Sequence, residues 1–124
     1  MGLLSKLNLF ARTDDPGTMV TVDELQGMID RHEDITIIDV RNTARFGCEH
    51  IAGAVNIPLK LIRKFEDVII GVLEHGNRLV VCCESGDECW AARDVLLTRG
   101  AKDVVCLKGG MKEWVRSGRM LISD

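Results

Sequence analysis

The sequence predicts an α/β fold: five short strands in a mostly parallel sheet, flanked by helices on both faces. Three observations point there. Runs such as Ile35-Thr36-Ile37-Ile38-Asp39-Val40 are nearly continuous in β-branched residues, as strands covered on both faces are. Segments with helical spacing of apolar residues separate these runs, and strand alternating with helix implies parallel pairing through right-handed crossovers. Arg41, Cys83 and Lys108 each fall just past a strand end, so all three belong to the sheet edge where ligands bind in such folds.

The elements follow in order. Met19-Val20-Thr21-Val22 is a short strand candidate, and Thr21 or Asp23 caps a helix from about Asp23 to His32 with Leu25, Met28 and Ile29 inward. After the strand through Val40 comes an irregular or short helical piece to Phe46. Ala54 to Ile57 is a third strand, ended by Pro58, which offers no ladder donor. Leu61, Ile62, Phe65, Ile69 and Leu73 space out one helix from Leu59 to Glu74, stopped by Gly76. Arg78 to Cys82 is the fourth strand, Cys89 to Arg99 a helix, Val104 to Leu107 the fifth strand, and Met111 to Arg116 the last helix.

A chain of 124 residues is the length of one ordinary domain and builds a core without staples. Its net charge of −3 gives no reason to expect nucleic acid, which asks for a basic face. Five cysteines, with no regular disulfide spacing and no export signal before them, predict free thiols in a reducing compartment, the cytoplasm. There is no CxxC pair, which argues against a structural zinc site. Residues 1–18 read as a leader closed by the polar turn Arg12 to Thr18, and residues 19–124 as the domain. Leu3, Leu4, Leu7 and Phe10 share one helical face. That predicts a short helix docked on its own domain or on a second copy, a homodimer contact, in preference to a membrane-surface anchor with a single lysine. The segment is too short to span a bilayer.

The chemistry centres on Leu79-Val80-Val81-Cys82-Cys83-Glu84-Ser85-Gly86-Asp87-Glu88-Cys89-Trp90. A strand ends in a thiol, a polar turn with one glycine follows, and a helix begins. Backbone N–H groups of such a turn converge on one spot, and the helix adds its positive end. A cysteine in that cradle is expected to be exposed and thiolate-prone.

Asp39-Val40-Arg41, His50-Ile51-Ala52-Gly53-Ala54, the Cys83 loop, and Leu107-Lys108-Gly109-Gly110 with Trp114 and Gly118 stand in family order, and over Met19 to Leu121 the chain resembles a single-domain rhodanese. The resemblance implies a sulfurtransferase whose nucleophile is Cys83. That thiol takes a sulfane sulfur from a small-molecule or protein persulfide donor, carries it as a persulfide, and passes it to a thiol- or cyanide-type acceptor. Glu84, Ser85, Gly86, Asp87, Glu88 and Cys89 then form the persulfide cradle, Arg41 and Lys108 are accessory residues, and no metal or organic cofactor is needed. By the same resemblance His50 ties a loop to the backbone, Asp39 and Arg41 make fixed hydrogen bonds at the strand end, Gly109-Gly110 is backbone geometry and Trp114 is core.

The loop departs from its relatives. Such loops commonly carry basic residues, whereas here Glu84, Asp87 and Glu88 supply three carboxylates and no cation. An acidic mouth opposes a dianion, so thiosulfate use is expected to be weak. Compensating cations are sought among Arg41, Lys60, Arg63, Lys64 and Lys108. Related phosphatase and arsenate reductase loops are one residue longer and end in arginine for bidentate phosphate capture. Neither Cys89 nor Glu88, the residues reached by counting from Cys83 or Cys82, is arginine, which excludes phosphatase chemistry.

Strand alternation puts Cys82 on the opposite side from Cys83 and in the core, with Cys106 also core. Cys48 is a loop residue or an exposed spare thiol. Cys89 is either a small buried residue or a resolving thiol at a helix start. Two alternatives to the enzyme therefore stand: a catalytically weak binding or regulatory module, and a Cys83/Cys89 thiol redox sensor.

Overall fold

The computed structural model describes residues 17–65 and 67–124. Most of the leader of residues 1–18, with its amphipathic segment and homodimer contact, lies outside the described residues. In chain order the elements are β1 (Met19–Val20), α1 (Val22–Asp30), β2 (Ile35–Asp39), α2 (Thr43–Cys48), β3 (Val55–Asn56), α3 (Leu59–Ile62), α4 (Asp67–Glu74), β4 (Arg78–Cys82), α5 (Cys89–Thr98), β5 (Val104–Leu107) and α6 (Gly110–Arg116). Five strands pair in the order β1-β5-β4-β2-β3, and every ladder is parallel. The sheet expected to be mostly parallel is thus wholly so.

Register aligns the carboxyl ends of the central strands: Asp39 lies opposite Cys82, and Val81 opposite Cys106. Alternation then sorts side chains into two cores. Ile38, Val81, Cys83 and Cys106 join one with Ile62, Ile70, Cys89, Trp90 and Leu96. Ile37, Val80, Cys82 and Val105 join the other with Leu25, Met28, Met111 and Trp114. Cys82 and Cys83 therefore occupy opposite faces, as a period of two requires. Among the described residues no helix is long and apolar enough to cross a membrane.

Three local details sharpen the sequence reading. Thr21 ends β1 early because it closes a capping box: its Oγ1 accepts from the Glu24 amide at 3.1 Å, and Glu24 Oε1 accepts from the Thr21 amide at 2.9 Å. Asn42 caps α2 through the Arg45 amide at 2.8 Å, so the piece expected to be irregular or short helical is a helix through Cys48. The single helix expected over Leu59 to Glu74 is two. Lys64 and Phe65 amides bond Leu61 and Ile62 carbonyls at 3.0 Å, which tightens the turn, and Arg99 takes the carbonyls of Arg63 and Phe65 from across the domain. A tertiary donor has replaced the next helical turn.

Candidate active site

Cys83 sits where β4 leaves the sheet, and the main chain shapes everything around it. Gly86 adopts φ +96°, which lets its amide turn back and donate to Cys83 Sγ at 3.0 Å. The Cys89 amide also acts on this sulfur, while Cys89 Sγ donates to the Gly86 carbonyl at 3.1 Å. From the other side the start of α6 fastens the loop. The Met111 amide donates to the Cys83 carbonyl at 2.8 Å and the Lys112 amide to the Glu84 carbonyl at 2.9 Å. Gly110 makes this approach feasible: a Cβ there would lie 2.5 Å from the Cys83 carbonyl oxygen and 2.7 Å from the Gly86 nitrogen. Gly109-Gly110 is thus a backbone device pressed against the Cys83 loop.

The thiol itself departs from expectation. Cys83 is 1% exposed, in the same cluster as Cys89, Trp90, Ala92 and Cys106. Its pKa is pushed up, first by the hydrogen bond its own S–H makes to the Cys89 side chain and then by burial. The amides of Cys89 and Gly86 pull it down without matching that rise. Cys89 is raised too, chiefly by its hydrogen bond with Cys106, and Cys82 is raised chiefly by burial. The expected exposed thiolate is a buried thiol, because strand alternation aims Cys83 into the core shared with α5. Cys83, Cys89 and Cys106 form a chain of neighbouring thiols; Cys48 is exposed and apart from it.

Most side chains of the cradle point away from sulfur. Ser85 donates to Asp87 at 3.2 Å on the exposed surface, and Glu88 is exposed beside a cleft. Glu84 is engaged by arginines. Arg45 meets it at 3.2 and 3.3 Å, and Arg41 Nη1 lies 3.8 Å from its Oε1. Arg41 is fixed from behind: its Nε and Nη2 bond Asp39 at 2.8 to 3.1 Å, and Nη2 also donates to the Glu49 carbonyl at 2.7 Å. Burial lowers the Arg41 pKa, but the hydrogen bonds and charge of Asp39, with Glu84 behind them, raise it overall. His50 does the tying work expected of it, with Nδ1 on the Phe46 carbonyl at 2.7 Å and backbone bonds to Ile122.

A cleft of about 670 Å³ borders the loop. Arg41, Arg45, Lys60 and Arg63 line it together with Glu84 and Glu88. Two of the proposed compensating cations beyond Arg41, namely Lys60 and Arg63, therefore share this cleft with Glu84 and Glu88, whereas Lys64 and Lys108 are not among its lining residues. The cleft beside the loop is not simply acidic. Arg45 is the residue the sequence reading missed; the Asn42 cap, which starts a helix one turn before it, is the signal that locates it. Among the described residues no cluster of His, Cys, Asp and Glu fits a metal ion.

The family model described as a rhodanese-like domain matches residues 21–117. In sequence the chain is 26% identical over 113 residues to the tRNA uridine(34) hydroxylase of Buchnera aphidicola, covering 90% of this chain and 36% of that protein. It spans about a third of the length of the curated relatives it matches. In structure it is similar to a rhodanese-related protein from Thermoplasma volcanium, at 23% identity and TM-score 0.70, covering 86% of this chain and 99% of that one. A rhodanese-like domain protein from Staphylococcus aureus superposes with TM-score 0.68 at 24% identity, covering 86% and 98%.

Proposed function

The chain belongs to the rhodanese-like domain family, and from that premise we propose that it is a sulfurtransferase working through a persulfide on Cys83. The observation that carries the reading is the Gly86 amide on Cys83 Sγ at 3.0 Å, joined by the Cys89 amide. Those two donors suit the negative charge of a bound persulfide, whose stabilisation asks for fixed dipoles in a dry site. After its proton leaves to solvent, the Cys83 thiolate attacks the sulfane sulfur of the donor. The donor's sulfur–sulfur bond breaks and its electron pair departs with sulfite, from thiosulfate, or with a thiolate, from a persulfide. A thiol- or cyanide-type acceptor then attacks the outer sulfur and Cys83 leaves as thiolate.

Thiosulfate is expected to be a weak donor. The reason is not an acidic mouth, since four cations share the cleft; it is burial of the thiol, which with its hydrogen bond to Cys89 raises its pKa, and the engagement of Arg41 and Arg45 by Glu84. A low-molecular or protein persulfide is the favoured donor class. Hydroxylation of tRNA, named for relatives three times as long, is not carried over to this chain.

Mass spectrometry after incubation with glutathione persulfide tests the proposal. Cys83 is expected to gain the mass of one sulfur atom, to lose it to cyanide, and to gain nothing as Cys83→Ser. Because the thiol pKa is raised, the thiolate fraction grows with pH. Loading is therefore expected to climb about tenfold per pH unit from neutrality, with no plateau through the mildly alkaline range. Burial of Cys83 at 1% exposure favours a second reading, a binding module without turnover. No adduct from thiosulfate, glutathione persulfide or a loaded cysteine desulfurase at any pH would replace the first reading with the second.

A further inference from the structure

We propose that Glu84 is an internal plug in an oxyanion subsite built from Arg41 and Arg45, and that a small sulfur oxyanion binds by displacing it. The naming of a sulfur oxyanion rests on the sulfurtransferase reading; the subsite itself rests on geometry. Arg41 is a fixed, buried cation whose side chain is 4% exposed. A guanidinium has five N–H donors. Asp39 and Glu49 occupy those on Nε and Nη2, which leaves Nη1 on the side of Glu84 at 3.8 Å, near enough for charge and too far for a hydrogen bond. Glu84 therefore compensates Arg41 without saturating it.

The other half of the site is loose. Arg45 is 51% exposed and Glu84 34%, and their contacts of 3.2 and 3.3 Å are long for charge-assisted bonds. Exposed pairs of this kind contribute little and break readily. The three residues are common to the linings of two clefts, the one of about 670 Å³ and a second of about 240 Å³ that Lys112 and Arg116 also line. They form the partition between the two. Rotation of the Glu84 side chain opens that partition and exposes Arg41 Nη1 and Arg45 together. A tetrahedral or pyramidal oxyanion then replaces one carboxylate with several acceptor oxygens, within a cleft that Lys60 and Arg63 also line. Glu84 directly follows Cys83, so the displaced position is the one beside the nucleophile in the chain.

Calorimetric titration of inorganic sulfite into the full chain carrying Cys83→Ser tests this without any sulfur transfer. Adding Glu84→Gln is expected to tighten sulfite about tenfold, and adding Arg45→Met to that pair of changes to cancel the gain. Glu88→Gln is the control, since that substitution removes the same charge from the same cleft; it is expected to change affinity by less than about twofold. In the chain with Cys83 intact, Glu84→Gln is expected to lower KM for thiosulfate. Equal effects of Glu84→Gln and Glu88→Gln, a gain that survives Arg45→Met, or no measurable sulfite binding in any variant would overturn the plug. A missing sulfur adduct on Cys83 alongside tightened sulfite binding would instead remove the sulfurtransferase reading and leave the subsite standing.

Discussion

Below the Cys83 loop, amides of Met111 and Lys112 hold the Cys83 and Glu84 carbonyls at 2.8 and 2.9 Å, with Gly110 pressed against the same carbonyls. At its rim, Glu84 meets a half-exposed Arg45 at 3.2 and 3.3 Å, among cations that belong to three other segments. The floor is main chain against main chain and the rim is side chain against side chain. A floor of that kind tolerates almost any side chain in the loop, which is why three carboxylates sit there without disturbing the amides aimed at sulfur. The rim is where side-chain identity matters: the charges there set the electrostatics of the cleft, while the floor sets the geometry of the amides around the thiol.

Substitutions break or sharpen this contrast in a graded series. The largest effect belongs to the floor. Gly110→Ala places a methyl 2.5 Å from the Cys83 carbonyl oxygen at φ +63°, and no flexible side chain is there to yield. Urea unfolding is expected to show a loss of upwards of about 4 kcal/mol. A loss below about 1 kcal/mol would mean that the loop and α6 are not fastened as described. Next comes the joint between floor and rim. Asp39→Ala leaves buried Arg41 without its bidentate partner, and a loss of about 3 kcal/mol is expected in the same measurement. The smallest effect belongs to the rim. Arg45→Met is expected to leave stability within about 0.5 kcal/mol, because its pair with Glu84 faces solvent. A loss as large as that of Asp39→Ala would erase the distinction between the two regions.

Much of the floor was legible in the sequence. The Gly86 turn and the thiol between strand and helix are local patterns whose geometry local sterics dictate, and the Gly109-Gly110 pair was legible as special backbone, though not its contact with the Cys83 loop. The alternation of Cys82 and Cys83 was legible for the same reason. The rim was only partly so. Lys60 and Arg63 were among the candidates, but Arg45 was not, since it reaches Glu84 across 39 positions of chain. The long helix expected after Pro58 failed on a similar contact, with Arg99 drawing off two carbonyls from 34 and 36 residues away.

By itself the sequence determined the order of the five strands, the opposite facing of Cys82 and Cys83, and the turn that aims an amide at Cys83. Each follows from backbone sterics and from hydrophobic periods only a few residues long. Only the tertiary structure decided that the thiol is buried, with its pKa pushed up, and that Arg41 and Arg45 converge on Glu84. It also decided that α6 clasps the loop. Those outcomes depend on which strand ends lie side by side, and the sheet order β1-β5-β4-β2-β3 sets that through pairings between segments far apart in the chain.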